Sequence, residues 1–144
     1  MLSATNYDED YALWAEEQAH LLLQGSFAAL DTVNLADEIL DMSRRYHDAL
    51  EHRLTVLLAH LLKCLVQPDH KSAHWSATLA EQRKRIARLL KTSPSLKPRV
   101  GEYLADNYQV AVKQASADTH LPMTSFPAEN PFTIEQILDS DFEP

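Results

Sequence analysis

Residues 34–66, NLADEILDMSRRYHDALEHRLTVLLAHLLKCLV, hold neither glycine nor proline, and Pro68 follows at once. Such a run reads as one helix about 50 Å long, at ~1.5 Å per residue. Leu35, Ile39, Met42, Tyr46, Leu50, Leu54, Leu57, Leu61 and Cys64 recur in steps of three and four. Fours outnumber threes, so the period lies nearer 3.6 than 3.5 and favours a globular bundle over an extended coiled coil. From Leu54 onward apolar residues occur on nearly every side, which requires other helices to wrap that end. Pro68 ends the helix because its ring cannot continue the hydrogen-bond ladder. The run Leu54–Val66 contains His60 and Lys63 and is too short to cross a bilayer, which needs ~20 apolar residues.

The remaining segments supply shorter helices. Asn6 with Glu9 is predicted to cap a first helix, on which Tyr11, Trp14, Ala15, Gln18, Leu21 and Leu22 share a stripe. Gly25 suits a C-terminal cap that needs positive φ. A short turn of helix over Phe27–Leu30 is expected to cover one end of the bundle. The link from Gln67 to Ser72 is short, so the next helix should return antiparallel, with Trp75, Leu79, Gln82, Ile86, Leu89 and Leu90 inward. Ser95 is predicted to cap a further helix, with Pro98 in its first turn, that buries Val100, Leu104, Tyr108, Ala111 and Ala115. Pro122, Pro127 and Pro131 then break regular structure, yet Leu121, Met123, Phe126, Phe132, Ile134, Ile137, Leu138 and Phe142 are too apolar for a free tail. An extended strap is predicted, docking on its own chain or on a neighbour's. Thr133 with Gln136 should cap a short last helix. The expected fold is all-α: an antiparallel bundle of four to five helices around one long central helix. Residues 1–144 form a single domain, with the bundle over 1–120 and the strap over 121–144.

Charge is uneven. The chain carries −8 overall: residues 1–70 contribute −8, residues 71–99 contribute +7 and residues 100–144 contribute −7. Arg83, Lys84, Arg85, Arg88 and Lys91 could meet nucleic acid or an acidic partner. However, the arginines surround their helix, Arg83 borders Leu79, Ile86 and Leu90, and no aromatic residues interleave for base stacking. An internal role beside acidic helix rims, such as Asp37, Glu38 and Asp41 or Glu102 and Asp106, fits better, so nucleic acid is disfavoured.

Metal and catalytic patterns are sparse. Cys64 is the lone cysteine and reads as a small core hydrophobe, so no disulfide or thiolate metal site is implied. His70 and His74 are four apart, but Pro68 leaves His70 in a loop. Glu17 and His20 form one E-x-x-H, and a di-iron bundle requires two. No metal, cofactor, phosphate loop or nucleophile motif is expected, and Trp14 and Trp75 lie at packing positions. His60 is the one candidate for acid–base chemistry. It lies at the margin of the core stripe, near Arg53 and possible partners around Trp75, and no third group completes a site. The alternative for His60 and Arg53 is a hydrogen-bonded network that fixes helix register.

YDEDYALWAEEQ, GSFAALDTVNLADEI, HLLK at residues 60–63, Trp75, SPSL at 93–96 and LPMTSFPAENPFTIEQILDSDFEP follow one another in order. Together they resemble the bacterial family known as domain of unknown function 29. Where that family often has Cys-Pro in the tail, this chain has Asn130-Pro131. The resemblance implies an all-helical, stand-alone small protein and supplies no established activity and no catalytic residues to carry over.

The function expected is that of a non-enzymatic helical interaction or scaffold protein that forms a homo-oligomer or meets an unidentified protein partner. A regulator acting through basic residues 71–99, and a ligand binder or enzyme built on His60, are the alternatives. The N-terminus has no basic region followed by an apolar one, so a cytoplasmic protein without membrane contact is expected.

Overall fold

The structure is a computed structural model and describes residues 5–144. It is all-α, with five α-helices and no strand among the described residues: α1 (Tyr11–Leu23), α2 (Thr32–Val66), α3 (Ala73–Thr92), α4 (Val100–Thr119) and α5 (Ile134–Leu138). Compactness divides the chain into two units, Met1–Arg45 and Tyr46–Pro144.

In the first unit, α1 and the beginning of α2 form an antiparallel hairpin. Trp14 Nε1 donates to Asp31 Oδ2 at 3.0 Å, and Asp31 N donates to Gln18 Oε1 at 2.8 Å. Further along, Tyr7 and Tyr11 both donate to Glu38. α1 starts at Tyr11 rather than near Asn6. Asp10 is the cap, accepting from Leu13 N, while Asn6 closes a separate turn that takes up Asp8, Glu9 and Asp10. Asp10 combines low helix propensity with strong capping, and the start it sets leaves Asp8 and Glu9 in the turn before the helix. Gly25 ends α1 at φ 72°, as its missing Cβ permits. The Phe27–Ala29 turn is 3-10 and buries no side chain, so it connects rather than covers.

The second unit builds the main core. Leu50, Leu54, Leu57, Leu58, Leu61, Leu62 and Cys64 of α2 are fully buried against Leu79 and Ile86 of α3 and Leu104, Ala111 and Ala115 of α4. Direction follows from side-chain pairs. Arg53 meets Gln82 and Lys63 lies over Trp75, so α3 returns antiparallel to α2. His47 meets Tyr103, Glu51 meets Asn107 and Lys63 meets Asp118, so α4 runs parallel to α2 at a nearly constant offset. Ser72 caps α3 through Trp75 N. Between α3 and α4, residues Pro94–Arg99 form a 3-10 helix, and Ser95 caps nothing. Two prolines without N–H groups and a buried Leu96 tighten this link, so α4 begins at Val100.

The strap docks on its own chain. Ser116 Oγ donates to Leu121 O, Tyr108 Oη donates to Pro127 O, and Ile134 Cδ1 lies where a Cβ on Gly101 would come within 3.3 Å. The strap therefore runs antiparallel along α4. It then crosses to α3, where Arg83 holds the carbonyls of Gln136 and Ile137, and reaches Lys71, which pairs with Glu143 at 2.5 Å. Phe126 and Ile137 are core residues, and Thr133 with Gln136 makes a full capping box on α5.

Candidate functional site

The apolar end of α2 sets the frame for His60. Its wheel position leaves the imidazole half-buried between the core stripe and solvent. Nδ1 donates to Val56 O at 3.0 Å, which fixes the tautomer and leaves Nε2 as an acceptor. Lys63 Nζ, one turn on, lies 3.5 Å from that Nε2, 3.3 Å from Asp118 Oδ2 and 5.2 Å from the Trp75 ring centroid. Lys63 is only 7% exposed, which makes it the most enclosed charge of α2. Burial holds the His60 imidazole below its usual range, and the Lys63 and His74 charges add to that while Asp118 opposes it. Three elements thus contribute: α2 gives His60 and Lys63, α3 gives Trp75 and α4 gives Asp118.

Chemically the cluster holds a neutral imidazole beside a paired ammonium and an aromatic face. It can take up one proton and lock three helices in register. Lys63 was legible in the sequence only as a lone charge in an apolar run, and its i, i+3 relation to His60 was the available signal. Arg53 finds the Gln82 amide at 3.3 Å, and no carboxylate among the described residues.

The other sequence candidates are scattered. Glu17 accepts from Thr5 N and Oγ1, and His20 is exposed. His70 lies in a 3-10 turn and His74 on α3, both exposed. Among the described residues no three His, Cys, Asp or Glu side chains gather as a metal ion would need. Cys64 is fully buried, and burial pushes its thiol up. Trp14 is a buried anchor with its own acceptor, Asp31.

The basic segment breaks into parts with different roles. Arg83 is 5% exposed and donates to Ile137 O at 2.8 Å and Gln136 O at 3.2 Å. It is a clamp on the strap, in keeping with its position beside Leu79, Ile86 and Leu90 in the sequence pattern. Arg85 pairs with Glu81 and Arg99 with Glu102. Lys84, Arg88 and Lys91 are exposed and make no ion pair among the described residues.

A third feature is apolar. On α2, Ile39, Met42 and Tyr46 were expected inward but are exposed, because α1 packs on the Glu38 side of the helix instead. Among the described residues, nine of the fourteen exposed large hydrophobic ones lie from Tyr11 to Met42.

No helix among the described residues is long and apolar enough to cross a membrane. Comparison with curated proteins and with solved structures finds no match. The family model described as Domain of unknown function DUF29 matches residues 6–143, nearly the entire chain, and the chain belongs to that family.

Proposed function

We propose that this is a non-enzymatic helical interaction protein of the bacterial cytoplasm that associates with itself. The observation that supports it is the apolar surface of the first unit, where Leu13, Leu22, Leu23, Phe27, Val33, Ile39, Leu40 and Met42 are all exposed. Apolar surface concentrated in this way marks interaction sites, because a monomer gains nothing from keeping it in water. The test is light scattering from about 1 to 200 μM, the range of weak self-association. A mass that rises with concentration is expected, and a strict monomer throughout would overturn the proposal.

A second reading has the free row Lys84, Arg88 and Lys91 of α3 in its favour, which would dock an acidic partner or nucleic acid. Binding would then fall steeply with salt and disappear in the Arg88→Glu/Lys91→Glu variant. For His60 we propose a positioning role, in which the imidazole and Lys63 fix the stagger of α2, α3 and α4. His60→Ala should lower thermal stability and leave self-association unchanged. We also propose that residues 1–144 act as one domain, since a single helix, Thr32–Val66, serves both units. One calorimetric transition is the expected result, and two well-separated transitions would refute it.

A further inference from the structure

The ammonium of Lys63 is enclosed where three helices meet, and each helix gives it one partner. α3 gives the face of Trp75, at 5.2 Å to the centroid. α4 gives the exposed carboxylate of Asp118, at 3.3 Å. α2 itself gives His60 Nε2, at 3.5 Å. This last contact holds only while the imidazole is neutral. Nδ1 carries a proton because it donates to Val56 O, so Nε2 offers a lone pair. A further proton can enter only at Nε2, and it turns that lone pair into an N–H aimed at an ammonium.

The charged and titratable groups that face His60 are Lys63 of its own helix, His74 of α3 and Asp118 of α4. Lys63 and His74 oppose a proton there and Asp118 favours it. With His60 neutral, Lys63 and Asp118 balance. With His60 protonated, one carboxylate faces two cations, and the excess charge is shielded from water. The four-carbon stem of Lys63 is long enough to carry its ammonium past Asp118 to solvent. We infer that His60 is a proton-operated latch: a proton on Nε2 drives the Lys63 ammonium off the Trp75 face and loosens the junction of α2, α3 and α4 that it pins. This rests on the positioning role proposed for His60 and makes that role conditional on pH. The latch lies at the root of the strap, since Asp118 comes just before His120, where the chain leaves α4 at φ 60°.

Titration of the full chain by NMR, from about pH 8 to about pH 5, tests the latch across the ordinary histidine range. His74→Gln is the background, because His74 adjoins Trp75 and would report its own protonation. In that background the Trp75 indole resonance should move with the His60 ring, at a midpoint below 6.5. Adding Lys63→Met removes the like charge. The His60 midpoint should then rise, and the Trp75 resonance should no longer follow it. Asp118→Asn, at an exposed position, leaves two cations without their carboxylate and should lower the His60 midpoint. A Trp75 resonance that ignores His60, or that follows it equally far without the lysine, overturns the latch. So does a His60 midpoint that neither substitution moves. The positioning role is judged separately, by the thermal stability of His60→Ala at about pH 8, where the ring is neutral.

Discussion

Arg83 is the charged side chain by which α3 holds the strap. Its guanidinium is buried and its two hydrogen bonds end on backbone carbonyls of α5. Arg83→Met keeps the apolar stem but leaves both carbonyls without their donor, and should cost about 2–4 kcal/mol in denaturant unfolding. Arg88→Met, five residues on and exposed, should stay within about 0.5 kcal/mol. His60 adds a pH dependence. Its folded-state value lies below the ordinary 6.5, so the unfolded chain binds more protons between the two values. Stability should fall as pH drops through 6.5 and level off below the folded value. Asp31, Glu38, Glu81 and Glu143 are held below their ordinary 3.8 or 4.5 by hydrogen bonds from Asn34, Tyr11, Arg85 and Lys71, respectively. Their contribution is complete above about 4.5 and is lost as pH falls through their folded values. Urea midpoints between pH 7.5 and 3 should therefore decline in two stages, and His60→Gln should flatten only the first.

Among the elements, the strap is the least regular and the most closely fitted. Ile137 is fully buried, and Ile137→Ala should cost about 2–4 kcal/mol, read from the shift in thermal midpoint. Thr133→Ala, which removes the capping box of α5, should cost about 1 kcal/mol. Apolar periodicity revealed α2, α3 and α4, because burial writes itself into residue spacing, and the Thr133/Gln136 pair revealed the cap of α5. It also marked the strap as docked. Where the strap docks was not legible, since that depends on Arg83 and Tyr108, polar residues whose partners are carbonyls far along the chain. The start of α1 was misplaced because Asn6 and Asp10 are both good caps, and only the fold decides between two adequate signals. The outward turn of Ile39, Met42 and Tyr46 was hidden for a similar reason: an apolar stripe looks the same whether its cover comes from the same molecule or from another.

On the scale of the whole molecule, that stripe makes stability a function of concentration. If two copies bury it, the thermal midpoint should rise between about 5 and 200 μM protein, because the folded dimer is favoured by mass action. A midpoint that does not move would mean the surface stays in water. The order of synthesis matters as well. Residues 121–143 leave the ribosome after α2, α3 and α4 are already in hand. A chain cut after Leu121 would leave Arg83 enclosed without the two carbonyls it holds and would remove Phe126 and Ile137 from the core. Such a fragment would present apolar surface that proteases and chaperones engage, so docking of the strap shields the core of the second unit.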